Sequence, residues 1–212
     1  MRYILFDDFN SAQDFGLIYL DKTIGAPELK SSYISIPGGD GMLDYSEFYG
    51  GPHYGNRTIT MNFASIERSY GDRMATDAAV KNALHGQRRK IVFDNQPGFY
   101  YMARITVGDW ANVDGVGYLT IYGDAEPWKY KTTETVVVRS GSGPVTLHNL
   151  RMPVTPRISA TAAATLTWDG HSVALQSGTG QIVPALTLSE GDTNITIATD
   201  GDISFAYREG GF

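Results

Sequence analysis

Residue types that could carry chemistry are present, but their spacing matches no common metal or thiol site. The four histidines, His53, His85, His148 and His171, are not paired at i,i+2 or i,i+4, and no HExxH motif occurs. The ligand spacing of a zinc site is therefore missing. The chain has no cysteine, which excludes disulfides and thiol catalysis. We expect no metal ion and no other cofactor.

The serines and carboxylates also lack a catalytic arrangement. Ser142 does not lie in a GxSxG elbow, and no Walker A or GxGxxG motif occurs. Asp40 with Asp44, or Asp200 with Asp202, could in principle form the acid–base pair of a glycosidase. Aspartates in glycine-rich segments, however, favour turns over catalysis. The sequence predicts no catalytic residue and no enzyme activity.

Charge and hydropathy exclude further classes. The 212 residues include 17 basic and 23 acidic side chains, a formal net charge of −6. Because phosphate binding needs an excess of Lys and Arg, this balance argues against sequence-specific nucleic-acid binding. No apolar run approaches the ~18 residues that span a bilayer, so no membrane contact is expected. The N-terminus turns acidic at Asp7 and Asp8, before the apolar core of an export signal could form.

The elements that would position any site are mostly strands. Apolar and polar residues alternate in segments such as 58–63, 118–122 and 203–207, the pattern of strands with one buried face. Helical spacing occurs once, over about 72–85, and Gly86 follows as a C-terminal cap. The sequence therefore predicts a mostly β protein with one α-helix.

A change in composition near residue 130 predicts two domains, 1–130 and 131–212. The first is rich in tyrosine and charge. The second has short strands rich in Thr, Ser and Ala with frequent turn signals, typical of a small β-sandwich. The run 132–138 is compatible with one long strand that crosses the boundary.

An ordered set of motifs along the chain resembles the distal tail protein (Dit) family of phages with long, non-contractile tails. The set begins with PGGDGMLD at 37–44, an NR-led apolar strand at 56–63 and LHG at 84–86. It continues with D-xx-PG-FYY-xx-R at 94–104 and EPWKYK at 126–131, and ends in 186–194 and 207–210. The resemblance covers nearly the whole chain.

This resemblance implies a fold and an assembly. It implies that 1–130 is a ring-forming, tail-tube-like β-sandwich with one helix, and that 131–212 is a small galectin-like β-sandwich. It further implies a homohexameric ring at the tail tip, or baseplate, of the virion, assembled in the host cytoplasm. The ring would join the tail-tube protein to the tail-associated or fibre protein, can bear receptor-binding proteins for host attachment, and would leave a channel for DNA. An acidic wall that repels phosphate would suit such a channel.

Aromatic residues crowd two segments and suggest the ring contacts. The loops 38–54 and 95–101 combine turn residues with aromatic side chains, which either pack between strands or form a protein–protein interface. We take the second interpretation as the prediction for an inter-subunit or partner interface. Its candidate residues are Phe48, Tyr49, Tyr54, Phe99 and Tyr100.

The alternative function is a carbohydrate-binding module of a phage tail or cell-surface protein. In that case Trp168 or Trp128 would stack on a sugar ring. The alternation of Trp168 with Leu166 favours core packing instead, and 147–151 lacks the full sugar-binding motif of galectins.

Overall fold

The computed structural model describes residues 2–48, 50–65 and 69–212. The chain divides into two compact units, Met1–Lys129 and Tyr130–Phe212. Antiparallel strands dominate both units, and the described residues contain one α-helix. The predicted fold class, mostly β with one helix, is confirmed. The ring-forming and galectin-like characters of the two domains stay predictions.

The N-terminal unit is built on one large sheet with the order β2-β1-β7-β8-β9-β6-β3, and β4 and β5 form a separate two-stranded sheet. Its elements are β1 (Ile4–Phe6), β2 (Phe9–Asn10), β3 (Leu17–Ile24), β4 (Tyr33–Ser35), β5 (Met42–Asp44), β6 (Arg57–Ser65), α1 (Tyr70–Leu84), β7 (Arg88–Phe93), β8 (Phe99–Val113) and β9 (Val116–Lys131).

One apolar core holds this unit together. Along β6, alternate residues Ile59, Met61 and Phe63 point inward and are fully buried, as their period of two predicts. They pack in the same cluster as residues of β1, β3, β7, β8 and β9. Since each fully buried side chain of this size contributes about 1.5–3 kcal/mol, the core fixes the large sheet.

The helix α1 begins and ends at recognisable caps. The Ser69 side chain accepts a hydrogen bond from the Asp72 backbone N–H, which satisfies one free donor of the first turn. Gly86 follows the last turn with φ +73°, a conformation that glycine adopts without a Cβ penalty. Val80 and Leu84 are buried in the core. The predicted helix is confirmed and begins two residues earlier than expected.

A buried arginine ties two segments of the N-terminal unit to β6. Arg57 is largely buried; its Nε donates to the Gly25 carbonyl at 2.8 Å and its Nη1 to the Pro127 carbonyl at 3.1 Å. Burial lowers its pKa, while the neighbouring Tyr101 raises it. The contact with Gly25 holds the chain where it leaves β3 toward β4.

The C-terminal unit contains two four-stranded sheets, β10-β17-β12-β15 and β11-β16-β13-β14, and β18 belongs to neither of them. Its elements are β10 (Thr135–Ser140), β11 (Gly143–Asn149), β12 (Arg157–Ala160), β13 (Ala164–Trp168), β14 (His171–Leu175), β15 (Gly178–Ile182), β16 (Gly191–Thr199), β17 (Asp202–Tyr207) and β18 (Gly210–Gly211).

Both sheets contribute to a single core, which makes this unit a sandwich. Ile158 and Phe205 come from one sheet, and Leu147, Leu166 and Ile197 come from the other; all are buried in one cluster. The strand suggested over 132–138 is not continuous, because β9 ends at Lys131 and β10 begins at Thr135. A bend at 132–133 separates them.

A buried carboxylate fastens the first and last segments of the C-terminal unit together. Glu209 is nearly fully buried and accepts hydrogen bonds from Lys131 Nζ and, at 2.6 Å, from Thr135 Oγ1. Burial alone would raise the pKa of Glu209, but these hydrogen bonds and the Lys131 charge hold the pKa below its ordinary value. The interaction stabilises the ionised form of this side chain.

Candidate functional site

The segment 28–55 forms an extended two-stranded arm that contains β4 and β5. At its base, the Gly55 N–H donates to the Glu28 carbonyl at 2.7 Å, and Lys30 N–H donates to the His53 carbonyl at 2.8 Å. Further out, β4 and β5 pair in register with Ile34 opposite Leu43. Backbone hydrogen bonding therefore orders the arm, although neither strand belongs to the large sheet.

The arm exposes large apolar side chains on both of its faces. Met42 is 67 % exposed and Phe48 is 66 % exposed. The neighbouring residues of β4 and β5 are exposed as well, so neither face of the pair is buried. An isolated pair of strands is marginally stable in water, and contiguous exposed apolar surface marks interaction sites. The other exposed apolar residues of the arm are Leu29, Tyr33, Ile34, Ile36, Leu43 and Tyr45.

Polar contacts fix the conformation of the arm behind β5. Ser32 N–H donates to Ser46 Oγ at 2.9 Å, and Ser46 N–H donates to Asp44 Oδ1 at 2.8 Å. Hydrogen bonds from the Ser46 side chain and backbone lower the pKa of Asp44. The rings of Tyr45 and Phe48 lie 5.1 Å apart. These contacts present Phe48 outward on an ordered turn.

The five interface residues predicted from the sequence fall in different places. Phe48 lies on the exposed part of the arm, whereas Tyr54 lies at its base, half-buried, with its ring edge-to-face on Trp128 at 5.6 Å. Tyr49 lies outside the described residues. The assignment of these residues to an interface stays a prediction.

Phe99 and Tyr100 lie at the start of β8, on the large sheet. Both are half-buried. Lys129 Nζ lies 5.1 Å from the centre of the Phe99 ring, and Lys90 Nζ lies 4.6 Å from that of Tyr100. Tyr54 contacts Trp128 and Phe99 contacts Lys129. Both contacts are made near the end of β9. Sequence reasoning missed Ile34, Ile36, Met42 and Leu43, whose signal was a pair of apolar residues on each side of a Pro-Gly-Gly turn.

A second feature is an open cleft between α1 and the β8–β9 hairpin. Its volume is about 280 Å³, and Tyr70, Met74 and Trp110 supply its apolar lining. Trp110 Nε1 donates to Asp77 Oδ1 at 2.8 Å, and Lys81 Nζ pairs with Asp77 at 2.9 Å. The bond from Trp110 joins the hairpin to the helix, and the Lys81 pair, within the helix, holds the Asp77 carboxylate in place.

Gly117 and Arg73 shape the hairpin side of this cleft. A Cβ at Gly117 would lie 2.9 Å from the Arg73 side chain and 3.1 Å from Trp110, so any larger residue would force these side chains to move. Arg73 Nη1 donates to the Gly115 carbonyl at 3.2 Å and to Asn112 Oδ1 at 3.4 Å. Both acceptors are neutral, and the guanidinium keeps its charge available for a carboxylate.

Among the described residues, no cluster of three or more His, Cys, Asp or Glu side chains could hold a metal ion. His85 Nδ1 accepts a hydrogen bond from Val107 N–H at 3.2 Å, and Ser142 Oγ donates to the Thr199 carbonyl at 3.0 Å. Both contacts join neighbouring elements of the fold. Within the described part of the chain, no helix is long and apolar enough to cross a membrane.

Each of the two tryptophans considered for sugar stacking is packed within its own unit. Trp168 is only 6 % exposed and packs in the C-terminal core. Trp128 is half-buried and packs edge-to-face against the ring of Tyr54. These placements give no support to a carbohydrate site built on either residue.

The fold and the exposed arm define a two-unit, mostly β protein whose most prominent surface is apolar and suited to protein contact. No protein-family model matches the chain, and no curated protein matches it in sequence. Among solved structures, it is similar to the Dit protein of phage SPP1. That crystal structure is described as a paradigm of the hub adsorption apparatus in phages that infect Gram-positive bacteria.

The likeness to SPP1 Dit extends over 100 % of both chains, with a TM-score of 0.74 and 14 % sequence identity. The chain therefore has the fold of a Dit protein along its whole length. The resemblance suggested by the motifs is confirmed at the level of the fold.

Proposed function

We propose that this protein is the hub of a phage tail tip, a structural protein of the Dit family without catalytic activity. The observation that carries the proposal is the fold shared with SPP1 Dit over the full length of both chains. The two units that make up this fold are each complete around their own core. A chance likeness of one common sandwich would cover only one unit.

The proposed assembly is a homohexameric ring formed through the arm. The arm is ordered by its own backbone hydrogen bonds yet leaves Met42, Phe48 and its other apolar side chains uncovered. Burying such side chains stabilises an assembly, and hot spots of interfaces are apolar or aromatic anchors of this kind. A ring gives every arm an identical place to bind.

In this role the ring joins the tail-tube protein to the tail-associated or fibre protein at the tip of the virion, and it can bear receptor-binding proteins. DNA passes through the central channel. The net charge of −6 supports this part of the proposal, because an acidic wall repels phosphate and does not retain passing DNA. A ring whose channel is lined by Lys and Arg would contradict it.

The experiment that tests the hub is a measurement of mass by light scattering over a range of concentrations, with negative-stain images of the same fractions. We expect rings with the mass of a hexamer, formed by the protein alone or after addition of the tail-tube protein. A strict monomer under both conditions would overturn the proposed ring.

A further inference from the structure

The proposed ring needs a second surface on each subunit. A cyclic assembly larger than a dimer repeats one heterologous interface, in which two different patches of the same chain meet. The arm supplies one patch. The inference below rests on the proposed ring and concerns the patch that receives the arm.

The cleft between α1 and the β8–β9 hairpin has the shape and lining for this purpose. Its two walls are joined by the hydrogen bond from Trp110 of the hairpin to Asp77 of the helix, so the cleft exists before any partner binds. Tyr70 is 72 % exposed and Met74 is 58 % exposed at its rim. A preformed apolar cleft binds an ordered, apolar ribbon at a low conformational cost.

The charges of the arm and of the cleft are complementary. The arm carries one lysine, Lys30, against four acidic side chains, Glu28, Asp40, Asp44 and Glu47. The cleft is lined by two cations, Arg73 and Lys81, and one carboxylate, Asp77. Asp77 is already paired with Lys81, whereas the described acceptors of Arg73 are neutral. Charge complementarity of this kind orients partners and fixes the register.

We propose that the arm of one copy docks into the α1 cleft of the next copy. Met42 and Phe48 of the arm would then cover Tyr70, Met74 and Trp110. The guanidinium of Arg73 would meet the carboxylates near the tip of the arm.

The absence of cysteine allows a direct test by site-specific cross-linking. Two full-length single-cysteine variants, Met42→Cys on the arm and Met74→Cys at the cleft, are mixed and treated with a short bismaleimide. We expect a cross-linked dimer in the mixture that exceeds the dimer from either variant alone. The control replaces Met74→Cys with Val138→Cys, which is 63 % exposed on the C-terminal unit. No excess over this control, at concentrations up to those used for ring formation, would overturn the proposal.

A second measurement separates this inference from the ring itself. The variant Met74→Asp keeps the arm and blocks the cleft, and Met42→Asp with Phe48→Asp does the reverse. We expect each alone to be monomeric, with association weakened by about a hundredfold, and a mixture of the two to form dimers that grow no further. If Met74→Asp still forms rings, the arm docks elsewhere and the hub stands. If the wild-type chain forms no ring while the cross-link appears, the hub fails and the pairwise contact stands.

Discussion

The arm and the β10–β17 pair are both antiparallel ribbons, but only one of them has a buried face. Strands β10 and β17 pair over six residues each, and alternate residues of β17, Ile203, Phe205 and Tyr207, are buried against the opposite sheet. The arm pairs over three residues, and the residues of both its strands are exposed. The comparison shows that a strand pair becomes part of a core only where the same chain supplies a second layer that covers one of its faces.

The largest expected difference between the two ribbons concerns their phenylalanines. Phe205→Ala should lower the free energy of unfolding of the C-terminal unit by about 3–5 kcal/mol, because it leaves a cavity in a closed core. Phe48→Ala on the arm should change the free energy of unfolding by less than about 1 kcal/mol. Urea denaturation of the full-length chain, followed by tryptophan fluorescence, measures both. Equal losses would mean that the arm is part of a core.

Charging the arm should leave folding intact and remove assembly. With Met42→Asp and Phe48→Asp together, we expect an unchanged urea midpoint and the loss of rings, because carboxylates cannot enter an apolar interface. Light scattering and circular dichroism of the same sample provide the measurement. Val136→Asp with Val138→Asp, exposed on β10, is the matched control and should still form rings. If rings still form after the arm substitutions, the contact between subunits does not depend on the arm.

Removing the charge of Glu209 tests its interactions with Lys131 and Thr135 beside the β10–β17 pair. Glu209→Gln should cost about 1–3 kcal/mol of unfolding free energy, because the Lys131 ammonium loses a nearly buried carboxylate. Glu134→Gln, which breaks the more exposed pair with Arg157, should cost about 1 kcal/mol or less. Urea denaturation measures the free energy of unfolding of both variants. Similar losses in the two variants would show that the burial of Glu209 does not strengthen its ion pair.

The smallest expected effect is on stability at alkaline pH. Burial, with the charges of Glu209 and Asp192, raises the pKa of Tyr207 to about 12 from 10.0. The folded state favours the neutral phenol, so this stabilisation is complete below pH 10 and is lost as the pH rises from 10 towards 12. Tyr207→Phe should flatten the fall in stability above pH 10. At neutral pH it should cost about 1 kcal/mol, since the hydroxyl donates to the His148 carbonyl at 2.6 Å.

Tyr45→Phe is the control for the alkaline measurement, because it removes a tyrosine hydroxyl that is exposed on the arm and lies outside the C-terminal core. Urea midpoints of the three proteins between pH 8 and pH 11.5 give the slopes. If Tyr207→Phe and the wild type lose stability in parallel, Tyr207 does not titrate as its burial requires.

Much of the fold could be predicted because local patterns and packing agree there. The alternation over 58–63 predicted the inward face of β6, and Ala and Leu spacing with Gly86 predicted α1. The segment 132–138 was harder, since its many β-branched residues fit one strand or two. Lys131 and Thr135, on either side of the bend at 132–133, both bind the distant Glu209, and no local pattern contains these contacts.

The candidate site could be predicted only in part. Aromatic residues pointed to the loop 38–54, and Phe48 does lie exposed there. Tyr54, Phe99 and Tyr100 carry the same signal but are half-buried against the large sheet or its cations. The residue type shows which side chains could form an interface. Whether such a side chain is exposed depends on which other residues pack against it in the folded chain.

The sequence by itself determined the class of protein: strands from period two, one helix from its spacing and caps, and no familiar catalytic motif. These are local properties, set by side chains within a few residues of one another. Only the tertiary structure decided that β4 and β5 stand apart from the large sheet, and that α1 and the β8–β9 hairpin enclose a cleft. Both depend on contacts between residues far apart in the chain, such as Arg57 with Gly25 and Trp110 with Asp77.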